Sequence, residues 1–146
     1  MGSGWTNFYA AFSGGNGVIY VIAKNGDLYW YKHAGYNTGT NLWYGGTTNK
    51  IGTGWNSAAK VFSTGWGIIY LVDRSGKLRY YNHMGFINGS STWRNGSGNI
   101  VGTGWSDVNT IGMGSINPSK FNLTPLEKIR NEPTILKAIL KQKNKF

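Results

Sequence analysis

An all-β fold of repeated four-stranded sheets is predicted by three observations on this 146-residue chain. Gly4-Trp5 returns as Gly54-Trp55 and again as Gly104-Trp105, an ungapped period of about 50 residues with roughly 19 identities between the two full copies. Glycine, tryptophan and tyrosine are abundant, at 23, 7 and 9 residues, which suits short strands and tight turns better than packed helices. Strand-like runs inside each copy are separated by turn signals. A unit of this length suits a four-stranded propeller blade, because coils of a parallel β-helix are shorter and helical solenoids lack this glycine content.

In the first copy a strand is expected at Phe8 to Ser13. Val18 to Ala23 follows as an uninterrupted apolar run, the pattern of a strand covered on both faces. Asn25-Gly26 then marks a hairpin into a third strand, Leu28 to His33. The second copy repeats the plan at Ile68 to Val72, Ser75-Gly76 and Leu78 to His83. A fourth strand falls near either the late tryptophan (Trp43, Trp93) or the Ile51-Gly52 step; the pattern leaves both open. The organisation is residues 1–117 as two blades, about 5–54 and 55–104, plus a first strand of a third repeat at 106–113.

Two blades leave two sheet faces bare. If each exposed on the order of 500 Å² of apolar surface, covering it would be worth roughly 12 kcal/mol, as much as the stability of a whole domain. The expectation is therefore a homo-oligomer that closes the ring, a trimer giving six blades.

From Pro118 the composition changes, and 118–146 reads as a basic amphipathic helical tail. Thr124-Pro125-Leu126-Glu127 has the form of a capping box, and Thr134 to Lys143 sets Ile135, Leu136, Ile139 and Leu140 on one face with lysines on the other. The tail supplies 7 of the 15 cations, so a large share of the positive charge behind the net +10 lies in this short stretch. The remaining cations are scattered over the repeats without a run to follow a phosphate backbone, which speaks against nucleic acid as the ligand. Weak contact of the tail with an anionic membrane, or with the propeller itself, fits its amphipathic pattern.

Cysteine is absent, which removes disulfides and thiolate chemistry. With 5 acidic residues in no paired arrangement and two histidines at equivalent repeat positions, neither catalysis nor a metal or other cofactor is expected. The repeat begins at Trp5 without a charged leader, so a soluble chain is expected, cytosolic or exported by an unseen route.

Gly52, Gly54, Trp55, Phe62, Ser63, Gly67, Ile69, Tyr70, Gly76, Leu78 and Trp93, with first-copy equivalents ending at Trp43, form a pattern that resembles the repeat of tachylectin-type lectins. The resemblance covers roughly residues 2–112. It implies a β-propeller with a sugar site in each blade or blade junction, and a preference for N-acetylated amino sugars such as N-acetylglucosamine. Multivalent glycan recognition would follow. The alternative is a non-lectin oligomeric scaffold whose basic tail binds a partner or an anionic membrane.

A sugar site needs an aromatic platform and fixed hydrogen-bond partners. Trp43 and Trp93 are the leading platforms, following a glycine-rich loop; the competing role is a wedge between blades. Tyr31 and His33 share one side of their strand, as do Tyr81 and His83. Each histidine can bond a sugar hydroxyl or hold the glycine loop behind it. Trp55 and Trp105 stand at repeat junctions, where packing competes with ligand contact, and Asn41, Asn95 and Asn99 are candidate amide partners.

Overall fold

The computed structural model describes residues 4–45 and 49–108. They form two four-stranded antiparallel sheets: β1 (Phe8–Gly15), β2 (Val18–Ala23), β3 (Leu28–Lys32) and β4 (Asn49–Gly52), then β5 (Ala58–Gly65), β6 (Ile68–Asp73), β7 (Leu78–Asn82) and β8 (Asn99–Gly102). Strand order follows chain order in both, as in blades. The fourth strand is the one around Ile51; Trp43 and Trp93 make isolated bridges to His33 and His83 instead. Of the expected third-repeat strand only residues 106–108 are described, and these are not strand. The tail lies outside the described residues.

The tightest hairpin joins β1 to β2 through Asn16 and Gly17, whose φ values of 50° and 76° are both left-handed. That is the two-residue turn whose twist matches its strands, and asparagine and glycine suit it. In the second sheet the same turn is Trp66-Gly67, so a bulky tryptophan holds φ 54° where asparagine stood. Between β2 and β3, Gly26 N–H donates to Ala23 O at 2.9 Å and Ala23 N–H to Asp27 O at 2.9 Å, closing a wider turn around Asn25-Gly26. Register shifts recur at matching places, Ser13/Gly15 and Ser63/Gly65 among them, so both sheets bend alike.

The core lies between the two sheets. Val18, Tyr20, Ile22, Leu28, Trp30 and Ile51 of the first pack on Ile69, Leu71, Ala58 and Trp55 of the second. In β2 and β3 it is the even-numbered side that enters this junction, and in β6 and β7 the odd-numbered side. Equivalent strands of the two repeats thus use opposite faces, as successive blades do. Ile51 is 2% exposed under the second sheet, while its repeat equivalent Val101 is 55% exposed.

Candidate functional site

Each sheet carries a loop that leaves its third strand at a histidine and returns at the late tryptophan. His33 and His83 fasten it from below: each Nε2–H donates across the loop at 2.7 Å, to Thr40 O and Ser90 O. The loop is tight because Gly35 N–H bonds Leu42 O and Gly39 N–H bonds Gly35 O, with Gly85 and Gly89 repeating the arrangement. Its small polar side chains are exposed: Thr38, Thr40 and Asn41 in one sheet, Asn88, Ser90, Ser91 and Thr92 in the other. Thr38 and Thr40 hydroxyls pair at 2.9 Å, and Ser90 and Thr92 hydroxyls at 3.2 Å.

Beneath the loops lie matched aromatic sets. Trp5 stands 5.5 Å from Tyr31 and 6.4 Å from Trp43; Trp55 stands 4.5 Å from Tyr81 and 5.8 Å from Trp93. Sequence reasoning included Tyr31, Tyr81, Trp43, Trp93 and Trp55 and missed Trp5, whose place follows only from its contacts. The two sets differ in what else they touch. Trp93 Nε1–H donates to Ile51 O of the first sheet at 2.9 Å, so this side chain bridges the blades. Trp43 Nε1–H turns to Asn41 Oδ1 of its own loop at 3.0 Å.

His83 is fully buried, and burial pushes its imidazole below the usual histidine range, the Ser90 carbonyl acting the other way. Its Nδ1 meets the Tyr20 hydroxyl at 3.0 Å. Both ring nitrogens are therefore committed to protein, and His83 supports the loop. Trp55 is buried, and its backbone N–H donates to Gly26 O at 2.9 Å. Trp105 repeats that bond with Gly76 O at 3.0 Å. Asn95 and Asn99 are exposed on the turn before β8 and at its start.

The carboxylates of the repeats are engaged in the hairpins. Asp27 pairs with Lys50 at 2.9 Å, which with Asn25 holds it below the usual range. Asp73 accepts from Ser75 Oγ at 2.6 Å and from Arg79 Nε at 3.1 Å, and these bonds, Ser75 foremost, lower its carboxyl to about 2. Among the described residues no three His, Cys, Asp or Glu side chains converge as a metal site.

A further feature escaped the sequence reading. Between β1 and β5 runs an open furrow of about 470 Å³, with Phe12, Asn16, Phe62, Thr64 and Trp66 among its walls. Trp66 is 70% exposed and meets Phe86 edge-on at 5.6 Å. The signal was present as Trp66-Gly67 replacing Asn16-Gly17, an aromatic where a turn prefers asparagine.

The sequence profile of the Tachylectin family matches residues 1–116. The chain belongs to the Tachylectin family. Membership gives this Tachylectin chain a lectin-like, carbohydrate-binding role, and its two four-stranded sheets are consistent with blades. A search of curated proteins and a search of solved structures each gave no match.

Proposed function

We propose that the chain is a multivalent lectin for N-acetylated amino sugars such as N-acetylglucosamine, with one site on each histidine-to-tryptophan loop. The observation that carries this reading is the repetition of one arrangement: exposed hydroxyl and amide side chains above an aromatic set, with the backbone locked from below by a histidine. A shallow sugar site needs those two components, and rigidity reduces the ordering cost of binding. Trp43 and Trp93 offer an indole edge or face, Asn41 and Ser91 stand two residues before them, and Asn95 and Asn99 follow in the second blade.

The role is binding without catalysis. Copies of the chain close into a ring, three giving six blades, so that several weak sites face one glycan surface and gain avidity without new contacts. A glycan array followed by titration calorimetry tests the sugar reading. Binding to N-acetylglucosamine-bearing glycans, competed by the free sugar and not by glucose, is expected. Folded protein that binds no glycan overturns it.

A further inference from the structure

The junction between the two blades is written twice into the sequence but made only once within the chain. At the internal junction Tyr20 O–H meets His83 Nδ1, Ile51 O accepts from Trp93 Nε1, Gly89 lies against Trp30 and Asn49, and Trp55 packs at a tilt against Tyr81 and Trp93. Adding or subtracting one repeat gives the counterparts Tyr70 with His33, Val101 with Trp43, Gly39 with Tyr80 and Asn99, and Trp105 with Tyr31 and Trp43. None of these pairs meets within the chain. Each half stands ready at a different end of the molecule.

The chemistry of the two ends is complementary. His33 Nε2–H is fixed on Thr40 O, so in the neutral ring Nδ1 is an acceptor, and among the described residues it has no partner. The Tyr70 hydroxyl likewise has none, although its ring is held by Phe62 at 5.3 Å and Tyr80 at 5.9 Å. Trp43 Nε1 has only the local Asn41. Val101 and Ile100 are exposed on β8. A Cβ on Gly39 would meet nothing within 4 Å, whereas one on Gly89 would run into Asn49 and Trp30.

We infer that the even-numbered face of the second blade docks on the odd-numbered face of the first blade of another copy, with Tyr70 bonded to His33 and Val101 O to Trp43 across the interface. The contact is heterologous, two different surfaces pairing head to tail, and a constant rotation between blades that completes a full turn closes it into a ring. Trp105 takes the place beside Tyr31 and Trp43 that Trp5 fills in the single chain, so docking exchanges one tryptophan for its repeat equivalent. The inference rests on the ring part of the function proposed above and is independent of sugar identity.

Native mass spectrometry and light scattering of the full chain and four variants test this. Unmodified chain is expected as a discrete species of two to four times 16.1 kDa. Gly39→Ala adds a methyl group where the chain alone has space, and Val101→Asp places a charge that is solvated in the single chain but buried in the interface. Both are expected to keep the circular dichroism of the parent and to raise the dissociation constant at least about a hundredfold. Tyr70→Phe removes one hydroxyl and is expected to raise it about fivefold to tenfold. Ser57→Asp, where the third repeat carries Asp107, leaves assembly unchanged. An assembly indifferent to Gly39→Ala, Val101→Asp and Tyr70→Phe overturns this interface and leaves the ring standing. Chain at 16.1 kDa at every concentration overturns both. Intact assembly without glycan binding counts against the sugar reading alone.

Discussion

The Tyr20 hydroxyl donates to His83 Nδ1 at 3.0 Å across the junction of the two blades. The direction follows from the other side of the ring, where His83 Nε2 faces the Ser90 carbonyl, an acceptor only, so the proton of the neutral imidazole sits on Nε2. One side chain thereby holds its own loop and ties its blade to the preceding one. Burial keeps both partners uncharged, raising Tyr20 above the usual phenol range and lowering His83.

Removing this hydroxyl leaves a buried imidazole nitrogen without a donor. Tyr20→Phe is expected to destabilise the chain by about 1–3 kcal/mol, because the desolvation of the orphaned acceptor is no longer offset. Urea unfolding followed by tryptophan fluorescence reads the loss.

His83 also gives stability a pH dependence of definite sign. Its folded pKa lies below the unfolded value of about 6.5, so the unfolded chain takes up the proton first as pH falls. The contribution is complete above about pH 6.5 and is lost as pH drops through the folded value. Urea midpoints should therefore decline from pH 7 to pH 5, and His83→Gln should flatten that decline. A midpoint that rises on acidification over this range contradicts the assignment.

Gly89 and Gly39 share a sequence position and differ in surroundings. Gly89→Ala forces a left-handed alanine into Trp30 and Asn49, and about 2–5 kcal/mol of stability should be lost. In the dissociated chain Gly39→Ala should cost about 1 kcal/mol, the backbone strain alone. Thermal or denaturant unfolding of the two variants side by side gives the difference.

Trp66 occupies a turn position with φ 54° that Asn16 fills in the first blade. Trp66→Asn copies that solution and should stabilise the chain by about 1 kcal/mol, since asparagine tolerates left-handed backbone better than a bulky side chain. If the same change weakens glycan binding on the array, the furrow beside Trp66 contributes to ligand contact.

Trp5 and Trp105 are expected to act oppositely on assembly. Trp5→Ala vacates the place beside Tyr31 and Trp43 and should lower the concentration at which the ring forms, whereas Trp105→Ala should raise it. Sedimentation velocity over a concentration series separates the two.

Much of the blade is legible in the sequence alone. The apolar run Val18 to Ala23, the turn signals and the 50-residue offset place five of the eight strands to within two residues of their observed ends. The fourth strand was ambiguous because Trp43 and Ile51 are both apolar residues near glycines; pairing decided it, Ile51 joining the β3 edge while Trp43 makes a single bridge. The replacement of Asn16-Gly17 by Trp66-Gly67 is visible in the sequence, but the furrow beside Trp66 is not, since it forms between β1 and β5, strands of different repeats.

What the sequence by itself determined is the unit: local chain geometry, strand alternation and turn chemistry depend on neighbours a few residues apart, and those are repeated. It also determined that loop, histidine and tryptophan recur together. What only the tertiary structure decided is the use of each copy. Trp43 and Trp93 stand in equivalent positions of their repeats, yet one bonds its own Asn41 and the other Ile51 of the preceding blade. The difference arises because packing partners are set by which blade lies alongside, and within one chain the first blade has a neighbour on one side and the second on the other.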